Sequence, residues 1–119
     1  MSPLAKLTIA TVGSGVMAEA MIAGLLRGEL VTPDQVVASH PRPERREELT
    51  RLYGIRTVAR NVEAVDAADI VLLAIKPQML AKVGREIGRH LRDDQLVLSV
   101  IAGATIAALE GFLGHRRIV

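Results

Sequence analysis

Six residues, Gly13-Ser14-Gly15-Val16-Met17-Ala18, stand between an apolar run, Leu7–Val12, and a stretch in which apolar residues recur at helical spacing. A glycine-rich turn in that position constrains the fold sharply, because the chain must leave a strand and enter a helix with almost nothing between them. In a G-x-G-x-x-A of this kind, Gly13 permits the tight turn and Gly15 lets the backbone approach a pyrophosphate with no Cβ in the way. Ala18 lets helix and strand pack closely. The helix that starts here offers unpaired N–H groups and the positive end of its dipole to an anion. The pattern is that of a dinucleotide-binding turn, if the rest of the chain supplies the βαβ context the turn requires.

The chain downstream has that alternation. Met17, Ala20, Met21, Gly24 and Leu25 recur at helical spacing as far as Gly28, and Thr32-Pro33-Asp34 makes a turn into a second strand at Val36–Ala38. Pro43–Leu52 is a charged helix closed by Gly54, and Ile55–Val58 is a third strand. Asn61 is expected to cap a short helix through Val65. Ile70–Ile75 is apolar throughout, as a strand covered on both faces should be. Leu80, Val83, Ile87 and Leu91 form one helical stripe. Asp93-Asp94 turns the chain into a fifth strand at Leu96–Val100, and Gly103 and Thr105 open a last helix through Leu113, stopped by Gly114. Ile118-Val119 begins a sixth strand. Strands alternating with helices predict an α/β fold, a doubly wound parallel sheet of Rossmann type with helices on both faces, in strand order 3-2-1-4-5-6 with right-handed crossovers.

Composition removes several other classes. A length of 119 residues fits one domain, here 1–119, and half the residues are apolar, which excludes low-complexity disorder. There is no cysteine, so neither a disulfide scaffold nor a thiolate metal site is available. The longest apolar run, Ile70–Ile75, is far short of a membrane span, and Gly13–Gly15 and Glu19 interrupt the N-terminal apolar residues too early for a secretory signal. A cytoplasmic protein is the expectation. Fifteen basic residues stand against thirteen acidic ones, and the six arginines from Arg42 to Arg60 are interleaved with Glu44, Glu47 and Glu48. With Tyr53 and Phe112 as the only aromatic residues, base stacking is poorly provided for, and nucleic acid is not expected as a partner. His40, His90 and His115 fall on different elements without ligand spacing, so no metal site is expected.

The second strand ends at Ser39, where an NAD-specific fold usually carries an acidic residue for the ribose 2′-hydroxyl. Here the chain runs Ser39-His40-Pro41-Arg42. The missing carboxylate removes repulsion of a 2′-phosphate, and Arg42 is placed to pair with it. NADP is therefore favoured, with NAD possible. Arg45 and Arg46, one helical turn further on, are taken as solvent-exposed. Lys76 is the one charged residue directly after the apolar fourth strand and should sit at the ligand crevice.

Four segments occur in order: Gly13-Ser14-Gly15-Val16-Met17-Ala18-Glu19-Ala20, then Asn61, then Ala74-Ile75-Lys76-Pro77-Gln78, then Ser99-Val100-Ile101-Ala102-Gly103-Ala104-Thr105-Ile106. Together they make the chain similar to the N-terminal domain of the pyrroline-5-carboxylate reductase family, over nearly its whole length. The resemblance implies an NAD(P)H-binding Rossmann domain in proline biosynthesis, an imino-acid substrate and homo-oligomers. It also implies cofactor contacts from Val12–Met17, Ser39, Asn61 and Ala74–Pro77, with Val100–Ala102 beside the nicotinamide. His40 and Arg42 join that set as the residues following Ser39. In the family a further loop and a helical domain cover the substrate, and no such segment is found here. No catalytic residue is therefore expected within the chain, nor turnover from it alone. Two alternatives share the domain: an F420-dependent NADP reductase or imine reductase, and a non-catalytic nucleotide-sensing module.

Overall fold

A computed structural model describes residues 3–119. Five strands form one parallel sheet: β1 (Ile9–Val12), β2 (Val36–Ser39), β3 (Arg56–Val58), β4 (Ile70–Leu73) and β5 (Leu96–Ser99), in the order β3-β2-β1-β4-β5. Five helices connect them: α1 (Val16–Arg27), α2 (Pro43–Tyr53), α3 (Asn61–Ala67), α4 (Leu80–Gly88) and α5 (Ile106–Leu113). The predicted alternation and strand order are those observed. The chain's last residues lie alongside β5 through a parallel bridge between Val97 and Ile118, on the side where a sixth strand was expected.

Side chains alternate across the sheet and divide the core in two. Ile9, Val36 and Ala38 face one way and pack with Ile22 of α1 and Leu49 of α2. Ala10, Val12, Val37, Val71 and Val97 face the other way, against Val65 of α3, Ile87 of α4 and Leu109 of α5. With both faces covered, β1 is buried at every residue, and Thr11 is the one polar side chain among its four.

The expected element boundaries shift at several points. Leu7 belongs to the turn before β1, its N–H bonded to the Leu4 carbonyl. Ala74, Ile75 and Val100 lie just beyond their strands, where the chain leaves the sheet. In α1 the buried positions are Ala18 and Ile22, while Met17, Ala20 and Gly24 of the expected stripe are exposed. That helix is apolar around most of its circumference, so periodicity alone does not select a face. Leu91 falls past the end of α4 but still packs on the core. Asn61 does not cap α3: it is the first helical residue, Arg60 occupies the N-cap without a side-chain bond, and the Asn61 amide is used elsewhere.

Register decides where the site forms. Val12 pairs with Ser39 on one side and with Leu73 on the other, Ser39 pairs with Val58, and Leu73 pairs with Ser99. All five strands thus end in one row. Gly13, His40, Ala59, Ala74 and Val100 leave the sheet side by side.

Helices α4 and α5 cross at glycines. A Cβ on Gly88 would lie 2.6 Å from the Leu113 carbonyl oxygen, and one on Gly84 would lie 2.9 Å from the Phe112 Cβ. The obstruction at Gly88 is backbone, so α5 must move to relieve it. Gly88→Ala is expected to lower the unfolding free energy by about 1–3 kcal/mol, despite alanine's better helix propensity. Urea denaturation measures this, and equal or greater stability would show that the crossing is looser than it looks.

Candidate functional site

At the carboxyl ends of the strands, across the point where the order reverses between β1 and β4, lies a cleft of about 500 Å³. Open α/β sheets bind ligands in this position. Its floor is a continuous hydrogen-bonded chain. Ser14, buried in the glycine turn, donates from Oγ to the Ser39 carbonyl at 2.7 Å. The single Ser39 hydroxyl hydrogen is directed to Asn61 Oδ1 at 2.6 Å, with the Thr11 carbonyl 3.2 Å away. Asn61 Nδ2 in turn donates to Glu86 Oε1 on α4 at 2.7 Å. The turn after β1, the end of β2, the start of α3 and the side of α4 are joined in series.

The glycine turn has the geometry its sequence predicts. Gly13 has φ +89°, and a Cβ there would meet the Ala74 carbonyl oxygen at 2.5 Å. Ala18 is fully buried against the sheet. Gly15 differs from Gly13: its φ is −84° and nothing lies within 4 Å of where its Cβ would be. The protein's own packing does not demand a glycine at this position. Gly15 is the N-cap of α1, and no side chain caps the helix there. Its first N–H groups are therefore available to a ligand.

Other side chains lock the turn from outside the cleft. The Arg45 guanidinium, half-buried on α2, bonds the Ser14 carbonyl at 3.0 Å, Glu19 at 2.7 Å and also Glu48. Tyr53 donates its hydroxyl to the other Glu19 oxygen at 2.6 Å. Arg46 donates to the His40 and Pro41 carbonyls. The expectation that Arg45 and Arg46 are solvated surface arginines is therefore corrected, since both are committed to bonds that fix the loop after β2 and the first turn of α1. The hydrogen bond from Tyr53, followed by that from Arg45, holds the Glu19 carboxyl below its ordinary value; the same bond raises the Tyr53 phenol. Burial, and then the charges of Arg42, Arg45 and Arg46, hold the His40 imidazole below the usual histidine value. Its Nδ1 accepts from the Arg42 N–H at 3.1 Å.

Of the expected site residues, Gly13, Ser14, Gly15, Ser39, His40, Asn61, Ala74, Ile75 and Lys76 all line this cleft. Val12 is fully buried beneath it, and Val16 and Met17 are exposed on the first turn of α1. Pro77 opens the exposed 3₁₀ turn before α4. Val100, Ile101 and Ala102 follow β5 in the same row of strand ends but do not border the cleft, and Ile101 is buried. Arg42 is the N-cap of α2, exposed, outside the cleft lining and without a side-chain partner among the described residues. Sequence reasoning missed Arg60, Lys82 and Glu86, which do line it. Lys82 and Glu86 are one helical turn apart on α4, on the side turned away from the apolar stripe, and that spacing is the signal that was there to read. His90 is exposed 3.8 Å from Asp66, and His115 is buried against the Gln95 carbonyl, so neither approaches His40's cleft. No helix among the described residues is long and apolar enough to cross a membrane.

Comparison with known proteins agrees with this geometry. Residues 8–103 match the family described as NADP oxidoreductase, coenzyme F420-dependent. The chain belongs to that family. It is 40% identical over 111 residues to the pyrroline-5-carboxylate reductase of Pseudomonas aeruginosa, an alignment covering 93% of this chain and 40% of that protein. The solved structure of a pyrroline-5-carboxylate reductase from Coxiella burnetii superposes with a TM-score of 0.84 at 26% identity, over 91% of this chain and 40% of that one. The prephenate dehydrogenase of Aquifex aeolicus superposes with a TM-score of 0.79 at 20% identity, over 92% of this chain and 40% of its own, a likeness of fold alone. The chain spans about 40% of the length of the curated relatives it matches.

The Glu19 cluster has a defined pH dependence. A carboxyl whose folded pKa is depressed contributes stability above its unfolded pKa, and that stability is lost as pH falls toward the folded value. The raised Tyr53 phenol works in the opposite sense, contributing below its ordinary pKa and losing that contribution as pH rises through it. Glu19→Gln is expected to cost up to about 1 kcal/mol at neutral pH and to flatten the acid limb of stability against pH. Denaturation midpoints from pH 3 to 7 test this; parallel curves for wild type and variant would remove Glu19 from the account.

Proposed function

We propose that this chain is the NADP(H)-binding portion of a pyrroline-5-carboxylate reductase, with NADH as the weaker cofactor. The observation that carries the reading is the uncapped start of α1, which opens on the same cleft as Ser39, Asn61 and Lys76. The empty space beside Gly15 supports it as well, because the protein itself gives no packing reason for that glycine. The choice of reductase rests on the 40% identity to the Pseudomonas aeruginosa enzyme across 93% of the chain. An F420-dependent activity has only the family description behind it.

In this reading the N–H groups of Gly15, Val16 and Met17 hold the pyrophosphate, with the turn's shape maintained by Gly13 and by the Ser14 bond to Ser39. Ser39 and Asn61 face the adenosine ribose, and His40 closes the end of β2. Ala74, Ile75, Lys76 and Pro77 border the nicotinamide side, beside Val100, Ile101 and Ala102. When bound, the reduced nicotinamide supplies the hydride for an imine such as 1-pyrroline-5-carboxylate, whose product is proline. The chain's own contribution is position and electrostatics: a rigid floor, donors for the phosphates and an apolar flank at Ile75. The substrate's own contacts are assigned to the remaining length of the relatives.

Gly15→Val puts a branched side chain where the phosphates must approach, in a backbone conformation valine adopts readily. We expect NADPH binding to vanish in calorimetry while the melting temperature stays at the wild-type value. Undiminished binding by the folded variant would overturn the assignment of the turn. A second outcome concerns chemistry. A reacting imine must be held within about 3–3.5 Å of the hydride donor and out of bulk water. The 119-residue chain is therefore expected to bind NADPH without reducing 1-pyrroline-5-carboxylate, and proline formation by the purified chain would show that the substrate contacts lie within it.

A further inference from the structure

NADP-binding folds of this type usually read the 2′-phosphate with an arginine just after β2, which here is Arg42. Three observations turn the assignment elsewhere. Arg45 and Arg46, the other cations of that segment, are already bonded to Glu19, Glu48 and backbone carbonyls. Arg42 borders a separate surface hollow with Glu44, Arg45 and Glu48, outside the cleft; Glu48 is paired with Arg45, and the Glu44 carboxylate opposes a phosphate dianion beside Arg42. Arg60, by contrast, lines the cleft itself, together with Lys76 and Lys82. Among the described residues one carboxylate lines that cleft, Glu86; it accepts from the neutral Asn61 amide and keeps its charge, but the three cations outnumber it.

The sheet puts Arg60 at the relevant corner. Ser39 is paired with Val58, and the His40 N–H continues the pairing onto the Val58 carbonyl at 3.0 Å. The exits of β2 and β3 therefore run together, and Arg60 follows the β3 exit by two residues. It directly precedes Asn61, whose amide is bonded to the Ser39 hydroxyl at 2.6 Å. Arg60 is exposed, and its guanidinium has no hydrogen bond or ion pair among the described residues. A planar fork of donors without partners, at the ribose end of a cleft with a net excess of cations, suits bidentate capture of a phosphate.

We propose that Arg60, at the exit of β3, is the residue that distinguishes the 2′-phosphate of NADPH from the 2′-hydroxyl of NADH, and that Arg42 is not. The proposal rests on the cleft being the cofactor site as argued above. Four proteins separate the two questions: wild type, Arg60→Ala, Arg60→Lys and Arg42→Ala, each titrated with NADPH, NADH and 2′,5′-ADP. Arg60→Ala is expected to weaken NADPH and 2′,5′-ADP by at least about tenfold, the scale of one charge-assisted pair, and to leave NADH unchanged. Arg60→Lys should recover part of the loss, since the charge remains but the fork does not. Arg42→Ala should bind all three as wild type does. A selective loss in Arg42→Ala with none in Arg60→Ala overturns the proposal, and so does an equal loss of NADPH and NADH in Arg60→Ala. If wild type binds NADH but shows no preference for NADPH, the specificity proposal fails while the cofactor site stands. If wild type binds none of the three, the cofactor site itself is wrong.

Discussion

The close approach of two chain exits, Gly13 after β1 and Ala74 after β4, is what the site is built on. There is room for a hydrogen atom and not for a methyl group, since a Cβ on Gly13 would lie 2.5 Å from the Ala74 carbonyl oxygen and 2.9 Å from Ile75 Cγ2. Because the two strands pair in register to their last residues, the turn after β1 is pressed against the loop after β4. That contact sets the height at which α1 begins. It also brings Ser14 over the end of β2, where it bonds the Ser39 carbonyl. Move Gly13, and the hydrogen-bonded chain through Ser39, Asn61 and Glu86 loses its first anchor.

Electrostatics then rigidify the turn from the side away from the cleft. Glu19 sits in the first turn of α1, where a carboxylate suits the helix dipole, and it accepts from both Arg45 and Tyr53 on α2. Arg45 also takes the Ser14 carbonyl. The two helices on that face are thereby tied to the glycine turn by charged bonds around a half-buried guanidinium. This division of labour leaves the start of α1 uncapped at Gly15, which lines the cleft, while Arg45 and Tyr53 hold the turn and Glu19 from outside it. The opposite face uses apolar packing instead, with glycines letting α4 and α5 cross closely at Gly84 and Gly88. Gln95, buried at the other end of the sheet, closes that side by bonding the Val65 and Ala68 carbonyls at the end of α3.

What the sequence by itself determined is everything carried by local constraint. The apolar runs of two-sided strands, the helical stripe Leu80, Val83 and Ile87, and the caps at Thr105 and Gly114 each need only a few neighbouring residues to be recognised. The glycine turn belongs to the same class, since its demands fall on the backbone of consecutive residues. The parallel topology followed from that alternation, and with it the place of the cleft. The tertiary structure alone decided which polar side chains serve the site and which serve the fold. Arg45 and Arg42 are three residues apart with the same side chain, yet one is bonded to Glu19, far off in sequence, and the other has no side-chain partner among the described residues. Asn61 has the composition of a helix cap and acts as a bridge between Ser39 and Glu86. Arg60 carried no local signal at all, and it reaches the cleft because β2 and β3 end side by side. Hydrophobic period and glycine geometry are short-range properties, whereas a hydrogen-bond partner is chosen by whatever the fold brings within 3 Å or so.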